Sequence, residues 1–263
     1  MSLSEYSQPV NIRRSRMTRP VTIVFPLYQG VTHLDFTGPH QFFSRLPSSQ
    51  VIVASVDALD VTADGLRFTG LADLRTIESC TLLCVPGGAG CTDAMQDEPY
   101  IAAIRRLAAT ADFITSVCTG SLLLGAAGIL DGRHAACHWA WRHLLTEFGA
   151  IPDSARVVKD GTIITGGGVT AGIDFALAVI AELAGPEVAQ SIQLNFEYAP
   201  EPPFQAGRPE LAPPKIVEAL NRKLLPLMKE RRTIVKKVAT TLRSGGASCW
   251  GLQPRPVSPP PRI

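Results

Sequence analysis

The chain lacks several features by which common classes of protein are recognised. It has no CxxC pair and no His and Cys cluster at metal-ligand spacing, so a structural metal site is not expected. It also has neither a P-loop nor a GxGxxG pattern, which argues against a phosphate cradle. No uncharged apolar run approaches the roughly 18 residues of a membrane span, and the first residues do not resemble a secretory signal. We therefore expect no metal, no organic cofactor and no membrane contact.

Cysteine is scarce for a chain of this length, with six in 263 residues. A disulfide framework is typical of short secreted domains that are much denser in cysteine. The cysteines are therefore expected to be free thiols. A reducing, cytoplasmic compartment is the predicted setting.

Charged residues are also few, and they are unevenly distributed. They make up 18% of the chain, against 46% hydrophobic residues, which is enough apolar material for a substantial core. Residues 20–214 hold 10 Lys and Arg against 20 Asp and Glu, whereas the segments on either side are basic. Basic ends are compatible with nucleic-acid binding. A solvated helix face and unstructured termini explain them more simply, so no nucleic-acid partner is expected.

Composition divides the chain into three parts. Residues 1–19 are Arg-rich without apolar periodicity, and residues 244–263 are rich in Gly, Ser and Pro. Both segments are predicted to be disordered. Residues 20–243 are predicted to form one α/β domain that ends in a long amphipathic helix, over about 214–242.

Within that domain, buried apolar strands alternate with amphipathic helices. This alternation predicts a mostly parallel sheet with helices on both faces. A KDGT turn at 159–162 is typical of a hairpin between the last two strands. The predicted strands are 21–25, 51–56, 81–85, 113–117, 157–159 and 162–165, and the predicted helices are 39–46, 100–109, 120–127, 139–148, 170–184 and 186–198.

Cys118 lies where the apolar strand 113–117 changes abruptly into a helix. A strand–nucleophile–helix turn presents a side chain at the top of a sheet, where ligands of parallel α/β folds bind. The positive end of the following helix favours a thiolate, so Cys118 is predicted to have the lowest pKa among the thiols. The alternative is a small apolar residue that fills a gap in the core.

Two further loops follow strands at the same end of the predicted sheet. Gly87 and Gly88 lie in the sequence CVPGGAGC, and such glycines direct backbone N–H groups at a developing charge. Asp35 lies in THLDFTGP, between two apolar residues and just before a predicted helix. It is either a helix cap or a functional carboxylate of the Cys118 site.

The segments LDFTGP, CVPGGAG, SVCTGSLLLGAAGIL, HWAW, GGGVTAGIDFALA and FEYAPEPPFQAGRP resemble the ThiJ/PfpI superfamily, and within it the isocyanide (isonitrile) hydratase branch. The resemblance runs from about residue 21 to residue 242. It implies a flavodoxin-like three-layer sandwich, a homodimer and a small-molecule isocyanide substrate. It also implies that Cys118 is the nucleophile and that Asp35 and Thr119 assist it.

Under this resemblance, water adds to an isocyanide through a Cys118 thioimidate and gives an N-substituted formamide. The family pattern has Thr-Thr before the His-Trp pair, whereas this chain has Ala136 and Cys137. Val169 is expected to pack near the cysteine helix. His138 is either an acid/base or a histidine packed beside Trp139, and Cys91 is a candidate redox partner of Cys118.

Three alternative functions stay open at the level of sequence. One is a glyoxalase-like thiol enzyme of the same superfamily, and another is a redox sensor without turnover. The third is a ligand-sensing domain of a transcription factor. Only 49 residues follow position 214, fewer than the roughly 100 residues of paired helix-turn-helix modules within ordinary domain sizes.

Overall fold

A central sheet organises the protein, which is described here by a computed structural model covering residues 20–244. The predicted disordered segments therefore lie outside the described residues, except Ser244, which is the last residue of a helix. Seven strands form the sheet. They are β1 (Val21–Pro26), β2 (Ser49–Ser55), β5 (Ala72–Asp73), β6 (Leu82–Val85), β7 (Phe113–Val117), β10 (Val157–Asp160) and β11 (Ile163–Gly166).

The strand order is β10-β11-β7-β6-β1-β2-β5, and every neighbouring pair is parallel except β10 with β11. The antiparallel pair closes across the predicted KDGT turn, with Asp160 opposite Ile163. Strands β6 and β11 are buried throughout, which explains why they read as continuous apolar runs. All six predicted strands are thus confirmed within two residues at each end.

Helices cover both faces of the sheet and complete the predicted flavodoxin-like sandwich. On one face α1 packs against α5, which packs against α6; on the other, α3 and α7 pack against α4. Asp97 caps α3 by accepting the Tyr100 N–H at 3.3 Å. The helices are α1 (His33–Phe43), α2 (Cys91–Ala94), α3 (Glu98–Ala108), α4 (Gly120–Ala126), α5 (Ala171–Ala184), α6 (Pro186–Asn195) and α7 (Pro214–Ser244).

Three helix predictions were wrong in detail. The helix predicted over 186–198 ends at Asn195. Helix α1 begins at His33, six residues before the predicted start, and contains Pro39 within it. Proline favours the first turn of a helix, and this preference led to the wrong start. The segment predicted as an α-helix over 139–148 forms a 3₁₀ helix, Arg142–Phe148. A turn at His138, whose carbonyl accepts the Trp141 and Arg142 N–H groups, occupies the residues before it.

Several short elements were not predicted because they are too short to show a hydrophobic period. They are the hairpin of β3 (Val61–Ala63) and β4 (Leu66–Phe68), the pair of β8 (His134–Ala135) and β9 (Ile151–Pro152), and strand β5 and helix α2. The long predicted helix is confirmed as α7. Among residues 20–244, none of the helices has the length and apolarity that crossing a membrane requires.

From β1 the chain builds the sheet first to one side, through β2 and β5, and then to the other side, through β6, β7 and β11. The direction in which strands are added therefore reverses at β1. In open parallel sheets, ligands bind beyond the carboxyl ends of the strands at such a switch point. The segments that follow β1, β6 and β7 contain Asp35, Gly87 and Cys118 respectively. The fold therefore brings the three predicted site segments together at one edge.

Candidate active site

Cys118 forms a tight turn between β7 and α4. Its φ angle is +60°, in the left-handed region that non-glycine residues rarely occupy and that is often strained at functional sites. The Cys118 N–H donates to the Gly167 carbonyl at 2.7 Å, which fixes the turn to the end of β11. The residue is only 5% exposed. This is the predicted elbow geometry, with the thiol held at the top of the sheet.

Asp35 lies in the first turn of α1 and is fully buried. Its Oδ2 accepts the Gly87 N–H at 3.0 Å, whereas Oδ1 has no hydrogen-bond partner within the described residues. The helix N-cap is Thr32, and no side chain caps the helix by a hydrogen bond. The structure therefore does not support the cap interpretation of Asp35.

Burial raises the pKa of Asp35 from its ordinary 3.8 to about 7. The nearby Cys118 thiol and the Gly87 N–H favour the ionised carboxylate and lower this pKa, and the Asp64 carboxylate adds a smaller upward shift. A carboxyl group whose pKa lies near neutrality exchanges protons efficiently in both directions. Asp35 thus has the properties of a general acid/base.

The predicted low pKa of Cys118 was wrong. Burial raises its pKa well above the ordinary thiol value, and the neighbouring Asp35 carboxylate and Cys137 raise it further. The Thr119 backbone N–H lowers it, as expected at a helix start, but the desolvation of the thiolate is the larger effect. Cys118 is therefore a thiol at rest, and Asp35 is the adjacent base that can take its proton.

Thr119 is held by the glycine loop that follows β6, residues 86–90. Its Oγ1 accepts the Gly88 N–H at 2.9 Å and donates to the Gly88 carbonyl at 3.3 Å. In this geometry the Gly87 and Gly88 N–H groups bind the Asp35 and Thr119 side chains. That these two N–H groups hold a developing charge stays a prediction. Their hydrogen bonds show that they position the Asp35 and Thr119 side chains.

Gly87 is required by the close approach of the three segments. A Cβ atom at this position would collide with the Thr119 backbone N, and it would lie 2.6 Å from Thr119 Oγ1 and 2.9 Å from Asp35 Oδ2. Two of these atoms belong to the side chains of the candidate site. A side chain at position 87 would therefore displace the Asp35 and Thr119 side chains.

The three more peripheral predicted residues differ in their relation to the site. Cys91, the first residue of α2, is buried; burial raises its pKa, and the Arg231 charge and the nearby Thr119 and Thr92 side chains lower it by less. His138 is half-buried beside Trp139, with ring centroids 5.7 Å apart, and burial lowers its pKa. Its Nδ1 accepts the Ala140 N–H at 3.3 Å. Val169 is half-buried and packs against the core.

Two further residues lie near Asp35 and Cys118 and were not predicted as site residues. Tyr28 is buried and donates its hydroxyl to the Pro86 carbonyl at 3.2 Å; burial raises its pKa, and Cys91, Tyr100, Asp35 and Cys118 raise it further. Cys137 is buried, and its charge raises the pKa of Cys118. Tyr28 follows β1 by two residues, at the same end of the sheet as Asp35, and this position could have identified it as a site residue from the sequence.

Within residues 20–244, no group of His, Cys, Asp or Glu residues has the arrangement of a metal site.

The fold and the site together define a class: an α/β protein with a cysteine at a strand-to-helix elbow and a buried carboxyl group near it. Residues 21–182 match the model of the DJ-1/PfpI family. The chain belongs to the DJ-1/PfpI family.

Similar proteins extend this result over nearly the whole domain. The isonitrile hydratase of Pseudomonas putida is 47% identical over 224 residues, which are 84% of this chain and 97% of that protein. The crystal structure of a ThiJ/PfpI family protein from Pseudomonas syringae superposes with a TM-score of 0.83 at 38% identity, covering 87% of this chain and 96% of that one. Drosophila melanogaster DJ-1beta, at 22% identity and a TM-score of 0.62, covers 69% of this chain and all of that one, and shares the fold.

Proposed function

We propose that this protein is an isocyanide hydratase, which adds water to R–N≡C and releases the N-substituted formamide R–NH–CHO. The observation that carries the proposal is the similarity to an isonitrile hydratase along 97% of that protein's length. The pairing of Cys118 with a buried carboxyl group of pKa about 7 supplies the nucleophile and the acid/base that this reaction needs.

The first half of the reaction forms a covalent intermediate. Asp35 takes the Cys118 proton, and the thiolate attacks the terminal isocyanide carbon to form a carbon–sulfur bond. Asp35 then returns the proton to the same carbon, because the formyl group of the product carries one hydrogen. The result is a thioimidate, R–N=CH–S–Cys118. The Thr119 N–H, which stabilises the thiolate form, lowers the energy of the attacking state.

The second half consumes water. Asp35, now ionised again, removes a proton from the water molecule, whose oxygen bonds to the thioimidate carbon, and passes that proton to the nitrogen to give R–NH–CH(OH)–S–Cys118. Collapse of this tetrahedral intermediate breaks the carbon–sulfur bond and releases the formamide, while the hydroxyl proton passes through Asp35 to the sulfur and regenerates the thiol. Asp35 acts as a base and then as an acid in each half. A pKa near neutrality suits both roles, and the steps require neither a metal nor an organic cofactor.

The experiment is turnover of a small panel of alkyl and aryl isocyanides in water enriched in oxygen-18. Mass spectrometry should find formamides that carry one heavy oxygen atom, and trapped enzyme should gain the mass of the isocyanide on Cys118. Methylglyoxal serves as the competing substrate, since a glyoxalase-like enzyme would convert it instead. Absence of formamide from the whole panel would overturn the proposal, and oxidation of Cys118 without turnover would favour a redox sensor.

We also propose that the enzyme is a cytoplasmic homodimer. The first half of α7 carries exposed leucines, among them Leu220 at 42% and Leu227 at 45% exposure. An exposed apolar stripe on a helix is typical of an interaction surface. The five cysteines within the described residues are all free, which fits a reducing compartment.

A further inference from the structure

Helix α7 places an arginine in the protein interior. Arg231 is only 3% exposed and forms one buried stripe with Val235 and Ala239, four and eight residues later. Removing a guanidinium from water costs free energy unless its N–H groups and its charge are compensated. The contacts of this side chain therefore indicate what its burial achieves.

Arg231 is compensated by neutral groups. Its Nε donates to Thr92 Oγ1 and its Nη2 donates to the Ala89 carbonyl, both at 2.9 Å. The guanidinium also lies over the Trp141 ring, 4.2 Å from the centroid, in a cation–π arrangement. Among the ion pairs of residues 20–244, none involves Arg231. The side chain thus binds backbone and hydroxyl oxygens and no carboxylate.

These oxygens belong to the loop on which the candidate site depends. Ala89 is in the glycine loop, two residues after Gly87, and Thr92 follows that loop in α2. Gly87 binds Asp35, and Gly88 binds Thr119. The hydrogen bonds of Arg231, Thr119 and Asp35 therefore end on three consecutive residues of this loop, Ala89, Gly88 and Gly87.

We propose that Arg231 is a positioning residue of the proposed hydratase site, which fixes the glycine loop so that its N–H groups hold Asp35 and Thr119. The proposal rests on the proposed function for its effect on turnover. Its structural part does not: any chemistry at Cys118 that uses Asp35 depends on the same loop. The hydrogen bond from the Gly87 N–H lowers the pKa of Asp35. If the loop became flexible, this bond would weaken and the pKa of Asp35 would rise further.

The test compares Arg231→Met and Arg231→Lys with Arg243→Met, a control on the same helix. Arg243 is exposed and donates to the Glu147 carbonyl at 2.9 Å, away from the loop. We expect Arg231→Met to lower kcat about 10- to 100-fold, as small misplacements of catalytic groups do, with KM changed less than threefold. Lysine keeps the charge but not the two-pronged contact, so its rate should be intermediate. The control should match wild type.

A second readout needs no isocyanide. The rate of Cys118 alkylation by iodoacetamide, followed peptide by peptide with mass spectrometry, reports the proton shared with Asp35 as the pH changes. We expect its midpoint to move upward by about 0.5 to 1 pH unit in Arg231→Met, the size expected for a shift on the order of 1 kcal/mol. The Arg231 charge lowers the pKa of the nearby Cys91 and Cys137 thiols, so Arg231→Lys, which keeps that charge, separates loss of the charge from loss of the loop contacts. A purely structural role would lower the melting temperature and leave the midpoint of Arg231→Lys in place.

A folded Arg231→Met protein with wild-type kcat and a wild-type alkylation midpoint would overturn the proposal. If that variant does not fold, Thr92→Val decides, because it removes one Arg231 contact and little volume. It should move the midpoint in the same direction by a smaller amount, and an unchanged midpoint would overturn the proposal. If wild type hydrates no isocyanide, the proposed function fails while the alkylation experiment still decides the role of Arg231.

Discussion

Replacement of Asp35 by asparagine separates catalysis from stability at the centre of the site. The carboxyl group has a pKa of about 7 in the folded protein against an ordinary 3.8. Folding therefore disfavours its ionised form by about 4 kcal/mol, at 1.36 kcal/mol for each pKa unit. Asparagine is nearly isosteric and keeps an oxygen that can accept the Gly87 N–H, but it has no proton to exchange.

The stability effect has a defined direction with pH. Because the folded-state pKa of Asp35 is raised, its favourable contribution is fully present below pH 3.8 and is lost as the pH rises through about 7. Between pH 5 and pH 8 the wild-type protein should lose about 2 to 3 kcal/mol relative to Asp35→Asn. For a domain of this size this corresponds to roughly 5–10 °C in melting temperature. The melting temperature of the variant relative to wild type should therefore be higher at pH 8 than at pH 5 by this amount.

Activity should change in the opposite direction. Loss of a general acid/base lowers the rate by about 10²- to 10⁴-fold, so Asp35→Asn should be nearly inactive in formamide production while Cys118 can still be alkylated. Calorimetry at the two pH values and the isocyanide assay measure both effects. Asp112→Asn, at an exposed carboxylate, is the matched control and should leave formamide production unchanged. An Asp35→Asn protein with normal turnover, or with the same melting difference at both pH values, would refute the reasoning.

Four further outcomes are expected. Cys118→Ala should abolish formamide production and leave the circular dichroism spectrum unchanged; appreciable residual turnover would exclude covalent catalysis. Wild-type kcat/KM should fall as the pH drops through about 7, where Asp35 gains its proton and can no longer accept one from Cys118; a flat profile from pH 6 to 8 would contradict this. Gly87→Ala should lower kcat at least about 100-fold, because its methyl group meets the Asp35 carboxylate, whereas Gly207→Ala, where open space surrounds the position, should be neutral. Light scattering at micromolar concentration should give twice the 28.2 kDa chain mass, and Leu220→Glu should reduce it to the single-chain value.

The sheet and the position of the nucleophile were predictable because both depend on local pattern. A buried β-branched run that ends at Cys118 and continues into a helix identifies the elbow directly. The small hairpin of β3 and β4 escaped prediction because three-residue strands carry no usable period. The start of α1 was misplaced because proline is common in the first turn of a helix, whereas Pro39 lies in the middle of this one.

The electrostatics of the site were not predictable from local sequence. The helix start at Thr119 indicated a stabilised thiolate, but the pKa of Cys118 depends on desolvation by segments that are far apart in the chain. The role of Arg231 was hidden for a related reason. Arginine on an amphipathic helix is usually solvated, and only the packing of α7 shows that this one is enclosed.

The contacts of Arg231 span 139 and 142 positions of the chain. During synthesis, β1 to β11 and the cysteine elbow are complete before this residue has been made. Contacts between such distant positions form late, since a large loop must close first. The strands of the sheet are thus complete in the growing chain before α7 exists, and the segment from Ala89 to Thr92 gains its Arg231 contacts only when this last helix packs against it.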